Sequence, residues 1–205
     1  MCSGKFNESF TLENFLTKKQ ENAIYDFITN YTFPWSYYSG TVLPSDYIRT
    51  NDCIITQGIN PPQFSHFIDI KSCSYVDLLA PILNTLANYY NTNLQIIKIK
   101  FNLLHKNSNS KHHYPHTDID EVDENIKTAI YYVNNTDGDT YIFNEKSPKQ
   151  KDEVSVYKTV TPKKGKMLVF NSNQFHASSS PINNNIRLVL NIVFKVCDEK
   201  SISNT

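Results

Sequence analysis

The sequence predicts a mainly β fold with flanking helices, an α+β chain in which an all-β sandwich follows a helical lead-in. Three observations carry that expectation. From Leu94 onward, short runs rich in β-branched and aromatic residues alternate with turn clusters at the spacing of a sandwich. Between two of those runs, Thr136-Asp137-Gly138-Asp139 is a strong hairpin signal. Before Leu94, apolar residues recur instead at helical spacing.

Thr17 followed three residues later by Gln20 has the form of a capping box, and Ala23, Ile24, Phe27 and Ile28 then repeat on one face. A helix is expected at about 17 to 30. In the next segment, FPWSYYSGTVLP, Pro34, Gly40 and Pro44 argue against a regular element. Its Trp35, Tyr37 and Tyr38 fit core packing better than a substrate groove. Ile82, Leu83, Leu86 and Ala87 predict a second helix from Leu79 to Asn91, with Pro81 in its first turn.

Six strand regions follow. They are LQIIKIKFNLL, HYPHTD, KTAIYYVN, DTYIF, the pair VSVYKTV and KMLVF around a Pro162/Gly165 turn, and IRLVLNIVFKV. The polar stretches KNSNSKHH and NEKSPKQKDE read as exposed loops near the mouth or edges of the sandwich. With 205 residues and no break in composition, one domain is expected over 1–205. Residues 1–93 would form the helical lead-in with supporting strands and 94–198 the β core.

Lys plus Arg and Asp plus Glu each number 20, so the formal charge is zero. That balance argues against nucleic acid as the main partner, because phosphate binding draws on a basic surplus. No segment approaches the roughly eighteen unbroken apolar residues of a membrane span, and the opening MCSGKFNESF is unlike a secretory leader. Cys2, Cys53, Cys73 and Cys197 are scattered without a CxxC pair. Reduced thiols in a cytoplasm are the expectation.

The chemistry concentrates in His116-Thr117-Asp118. Residues i and i+2 of a strand point the same way, so one imidazole and one carboxylate can converge on one ion. His176, in NQFHASSSP directly after KMLVFNS, is the candidate third ligand. Two histidines and a carboxylate leave three positions of an octahedral metal open, the arrangement that suits Fe(II), a chelating cosubstrate and dioxygen, whereas structural zinc closes its shell. Asp120 is an alternative carboxylate on the same face, less favoured by its spacing. Arg187 opens the apolar run RLVLNIVFKV, and a guanidinium there calls for an anion that its planar fork can hold. A structural ion pair is the plainer reading of the same residue.

KFNLL, HYPHTDID, KTAIYYVNNTDGDTYIF, KGKMLVFNSNQFHASSS and NIRLVLNIVF together resemble the 2-oxoglutarate and Fe(II) dioxygenase superfamily, and within it the prolyl 4-hydroxylase-like enzymes, especially small members carried by marine bacteriophages. ENFLTKKQENAIYDFI and FPWSYY are similar to the lead-in of those proteins. The resemblance implies a double-stranded β-helix, the jelly roll shared with cupins. It also implies hydroxylation of an unactivated C–H bond coupled to conversion of 2-oxoglutarate to succinate and CO2, with ascorbate in support. By position His116, Asp118 and His176 match the metal ligands and Arg187 the anchor of the distal carboxylate, while Asn102 and Tyr131 lie where further cosubstrate contacts occur. Two departures stand out. Val189 occupies a position where many relatives carry Ser or Thr, and His105 with a polar loop replaces the Tyr and Gly frequent in prolyl hydroxylases.

His66, His105, His112 and His113 read as solvated residues, with substrate contact the sharper alternative for the last two. Of Tyr131 and Tyr132, alternation allows only one to face the interior. The expected partner is a protein, peptide or small-molecule substrate. A metal-binding cupin-like isomerase without redox turnover, or a structural jelly roll such as a virion component, is the competing reading, and neither requires Arg187. Oligomeric state is not legible.

Overall fold

A computed structural model describes residues 9–42, 55, 57–69, 75–147 and 153–197, and these contain ten strands and two helices. The lead-in supplies β1 (Phe10–Leu12), α1 (Lys18–Ile28), β2 (Ser36–Tyr38), β3 (Gln63–Phe67) and α2 (Val76–Tyr90). The remainder supplies β4 (Leu94–His105), β5 (Ile126–Tyr132), β6 (Thr140–Lys146), β7 (Val156–Val160), β8 (Met167–Asn171), β9 (Gln174–Ser178) and β10 (Ile186–Val196). They pair into a larger antiparallel sheet in the order β1-β8-β5-β10-β4-β3-β2 and a smaller one in the order β7-β6-β9. This is the double-stranded β-helix architecture, with two helices against it.

Period-two alternation along β10 divides the interior in two. Leu188, Leu190, Ile192 and Phe194 pack with Ile24, Ile28, Ile82 and Leu86 of the helices, forming the main apolar core. Val189, on the other face, meets Ile130, Tyr132, Ile142, Leu168 and Phe170 between the sheets. Register then fixes which polar residues share that inner face. Arg187 lies opposite Leu104, Val189 opposite Asn102 and Asn191 opposite Lys100.

The helices form for the reasons their sequence gives. Thr17 and Gln20 make both halves of the capping box that starts α1. Asn91, in the left-handed region at φ 54°, ends α2. That helix begins at Val76, ahead of the expected Leu79, so Pro81 sits beyond its first turn. Other expectations are corrected too. HYPHTD is not a regular strand, and its pairing is confined to two isolated bridges, Ile59 with His113 and His116 with His176. Pro115 falls between those two histidines and has no N–H to extend the ladder. NQFHASSSP, read as following a strand, contains β9 itself. FPWSYY holds β2. Tyr37 there is 64% exposed, whereas Trp35 packs on the core and donates its indole N–H to the Ile28 carbonyl.

Among the described residues no helix is long and apolar enough to cross a membrane. Cys197 is a free thiol. Cys2, Cys53 and Cys73, and the stretch 148–152 of the second polar loop, lie outside the described residues.

Candidate metal centre

His116 and His176 are brought together by backbone pairing. Each donates its amide to the other's carbonyl, at 3.0 and 2.9 Å, and the ring centroids lie 4.4 Å apart. The Asp118 amide bonds to the Ser172 carbonyl in the turn between β8 and β9, which folds the carboxylate back toward His176. The ligand atoms of His116, Asp118 and His176 all fall within 4.8 Å of one another. Asp120, the alternative carboxylate, instead accepts from the Thr117 hydroxyl at 2.6 Å.

Electrostatics prepare these groups for a cation. Burial, helped by the nearby His176, lowers the His116 pKa to about 3 against the pull of Asp118. Burial also lowers that of His176, again against Asp118. Both rings are therefore neutral and carry a lone pair to offer. Each Nδ1 lies near a backbone carbonyl, Tyr114 for His116 at 3.3 Å and Gln174 for His176 at 3.1 Å. An Nδ1–H donated to that carbonyl leaves Nε2 free to ligate. For Asp118 burial pushes the pKa up, but the positive surroundings, Lys98 foremost and Lys100 with it, outweigh it and hold the carboxyl well below its usual range. Its oxygens are strongly tethered. Lys98 Nζ sits 2.8 Å from Oδ1, while the Thr128 hydroxyl and the Asn191 amide donate to Oδ2 at 2.9 and 3.2 Å. The same Oδ2 lies 3.6 Å from His176 Nε2. Two neutral imidazoles and one carboxylate on one side of a common point fit a divalent iron with open positions opposite.

Deeper between the sheets, the cavity that His116 and His176 line is also lined by Arg187, Thr140, Asn102 and Asn191. Arg187 is 3% exposed. Its Nε donates to the Gly138 carbonyl and its Nη2 to the Thr140 hydroxyl, each at 2.8 Å. No carboxylate within the described residues forms an ion pair with it. The charge of Asp139 favours the guanidinium, but its direct hydrogen bonds go to neutral acceptors, and the cavity is where a bonded counter-ion can come from.

The other predicted residues divide. Asn102 lines the cavity, with its Oδ1 accepting from the Ser65 hydroxyl at 2.8 Å. Tyr131 does not reach it. Its side chain points to the helix-backed core beside Phe15, and the neighbouring Tyr132 takes the inner face and donates to Thr140 Oγ1 at 2.9 Å. His113, expected in solvent, is fully buried with its ring nitrogens 2.9 and 3.1 Å from the hydroxyls of Ser178 and Ser180. His66 is half-buried against the Pro34 carbonyl and the Tyr75 hydroxyl, and His105 is exposed.

Thr140, Lys98, Thr128 and Asn191 were missed. Lys98, Lys100 and Asn102 recur at every second position of an otherwise apolar strand, and Asn191 stands four residues beyond Arg187 on the same face. Polar residues on one face of a buried strand are the signal that was available.

Residues 101–195 match the 2OG-Fe(II) oxygenase superfamily. A comparison with curated proteins finds no match. Among solved structures, the chain is similar to the non-haem α-ketoglutarate-dependent epimerase SnoN from nogalamycin biosynthesis, with a TM-score of 0.63 at 11% identity over 94% of this chain and 80% of that one. SnoN has also been solved with Fe3+, α-ketoglutarate and nogalamycin RO, a structure this chain matches at a TM-score of 0.60 and 11% identity over the same shares. The chain is similar as well to a prolyl hydroxylase from Trichoplax adhaerens in complex with a hypoxia inducible factor peptide, with a TM-score of 0.56 at 15% identity over 97% of this chain and 88% of that one. At such identities these likenesses speak for the fold, while the sequence match spans the stretch that carries His116, Asp118, His176 and Arg187. That match covers just under half of the chain, and over it the chain is similar to the 2OG-Fe(II) oxygenase superfamily, the 2-oxoglutarate-dependent non-haem iron oxygenases.

Proposed function

We propose that this chain is a 2-oxoglutarate and Fe(II) dependent oxygenase that hydroxylates an unactivated C–H bond of a protein side chain or small molecule, converting 2-oxoglutarate and dioxygen to succinate and CO2. One observation carries the reading. His116, His176 and the guanidinium of Arg187 line a single cavity, and Asp118 lies with the two histidines, so one ligand can chelate a metal at one end and meet a cation at the other.

His116, Asp118 and His176 would hold the iron, which when bound supplies the Lewis acidity and redox chemistry that dioxygen activation requires. The chain's own residues do the rest. Arg187 would take the distal carboxylate of the cosubstrate, its fork kept in place by Gly138 and Thr140. Thr140 Oγ1 accepts from both Tyr132 and Arg187, so its two lone pairs are engaged and its own proton is left to donate into the cavity. That hydroxyl stands in for the Ser or Thr absent at Val189. Val189, Ile130 and Leu104 flank the polar groups and exclude water, which strengthens the charge pairing inside. A non-redox cupin-like module would have no use for a buried, unpaired Arg187.

The test is succinate release from iron-loaded protein with 2-oxoglutarate, ascorbate and a panel of peptides and small molecules, with each product weighed by mass spectrometry. A stimulated reaction whose product gains one oxygen atom supports hydroxylation. A stimulated reaction whose product keeps its mass, as in an epimerisation, removes hydroxylation and keeps the oxygenase scaffold. No succinate under any condition removes both.

A further inference from the structure

We infer that Lys98 is a positioning residue that keeps the Asp118 carboxylate one-pointed on the metal and so preserves the position dioxygen needs. The inference rests on the iron and 2-oxoglutarate reading above. Six-coordinate iron with three protein ligands has three open positions, of which 2-oxoglutarate takes two. The last is available only if the carboxylate uses a single oxygen. A carboxylate has a second oxygen a bond away and readily closes on a metal through both.

The two oxygens of Asp118 are not equivalent in the structure. Oδ2 is turned to His176, 3.6 Å from Nε2, which makes it the oxygen placed to share an ion with that imidazole. Oδ1 is occupied by the Lys98 ammonium at 2.8 Å. The carboxylate side chain is 2% exposed, so water cannot compete strongly for that oxygen. Lys98 itself is placed by β4, where Val193 of β10 is its partner across the ladder and Lys100 and Asn102 follow on the same face. The ammonium is thus delivered by a central strand of the larger sheet and not by a loop. Thr128, on β5, and Asn191, on β10, fix the rotation of the carboxylate from the Oδ2 side. Rotation to present both oxygens to the metal would break the Lys98 contact and strand an ammonium in a partly buried site.

The role has a distinctive signature. An ammonium beside the carboxylate weakens it as a donor, so removing the charge should not weaken metal binding. In Lys98→Met, affinity for Co(II) or Fe(II) is expected to equal or exceed that of the unsubstituted protein, and 2-oxoglutarate should still bind the iron form. What should be lost is the last open position. Nitric oxide, used as a surrogate for dioxygen, should give the paramagnetic signal of an iron–nitrosyl in the unsubstituted iron and 2-oxoglutarate complex, and at least tenfold less of it in Lys98→Met. Lys98→Arg, which keeps a cationic donor, should restore the signal. Lys98→Gln, one bond too short to reach Oδ1, should lose it as Lys98→Met does and serves if the methionine variant fails to fold.

An undiminished nitrosyl signal in folded Lys98→Met or Lys98→Gln overturns the inference. So does a loss of metal affinity in those variants with rescue by arginine, which would make Lys98 a support for the fold of the site. Failure of the unsubstituted protein to bind iron and 2-oxoglutarate would strike the proposed function itself, and the two failures are told apart by that control.

Discussion

A β-carbon added to Gly138 would stand 2.9 Å from Arg187 Cδ and 2.7 Å from the Ser179 carbonyl oxygen, while the carbonyl of Gly138 accepts from Arg187 Nε at 2.8 Å. Gly138, expected in a hairpin, lies instead in the crossover from β5 of the larger sheet to β6 of the smaller one; it is needed there for close approach, and its φ is not among the positive ones. Its neighbour Asp137 accepts amides from Ile182, Asn183 and Asn184, docking the crossover on the loop that leads into Arg187. Gly138→Ala should displace the guanidinium and weaken 2-oxoglutarate binding roughly tenfold, about 1.4 kcal/mol. Calorimetric titration of the metal-loaded protein measures it, and unchanged affinity would show that the anchor tolerates the shift.

Removal of the guanidinium itself should cost more. Arg187→Met deletes the guanidinium expected at the distal carboxylate, and a hydrogen-bonded charge partner contributes about 1.5–3 kcal/mol. The 2-oxoglutarate dissociation constant should rise by about ten- to a hundredfold with iron affinity intact. Arg187→Lys should recover only part of the loss, because an ammonium cannot bond Gly138, Thr140 and a carboxylate with the fork of a guanidinium. Equal binding by Arg187→Met and the unsubstituted protein would remove Arg187 from the cosubstrate site.

The elements visible in the sequence were those whose local pattern and tertiary environment agree. IRLVLNIVFKV became β10 residue for residue, because a central strand is apolar on both faces and bounded by turn residues. HYPHTD looks like a strand but is not one, because the Asp118 amide bonds to the Ser172 carbonyl in place of a ladder and turns the carboxylate toward His176. β9 was hidden by the polar look of NQFHASSSP, whose inner face is functional. Order and spacing group His116, Asp118, His176 and Arg187, and the structure sets the first three within 4.8 Å of one another with Arg187 on the cavity that His116 and His176 line. Lys98 and Thr128 were not legible, since what they do depends on register between strands far apart in sequence. The choice between Tyr131 and Tyr132 needed one fact that alternation alone does not supply, namely which face looks at the helices.

That choice has its own test. The Tyr131 hydroxyl is buried without a hydrogen-bond partner among the described residues, so Tyr131→Phe should leave 2-oxoglutarate binding unchanged and should not destabilise the fold. Tyr132→Phe removes the bond to Thr140 Oγ1, which loosens the hydroxyl beside Arg187. It should cost about 0.5–1.5 kcal/mol in stability and weaken 2-oxoglutarate binding several-fold. Urea unfolding and ligand titration of the two variants distinguish the faces, and a binding defect in Tyr131→Phe would contradict the assigned orientation.

His113 ties the fold to pH. Burial, then the charges of Arg187 and His112, lower its pKa from an ordinary 6.5 to about 3. The sign follows from proton counts. Below 6.5 the unfolded chain takes up a proton at this position, while the folded chain stays neutral until about pH 3. Acidification therefore favours unfolding, and stability rises with pH across that window, by up to about 1.4 kcal/mol per pH unit from this group. Above pH 7 its contribution is flat. The neutral ring is held between the hydroxyls of Ser178 and Ser180, and its backbone amide bonds to the Ser178 carbonyl, so the segment entering His116 depends on it. Urea midpoints at pH 7, 6 and 5 should fall in the unsubstituted protein. His113→Gln, which keeps polar atoms for the two serines but cannot take up a proton, should start lower and fall less steeply, and an equal slope in both would assign the acid sensitivity to other groups.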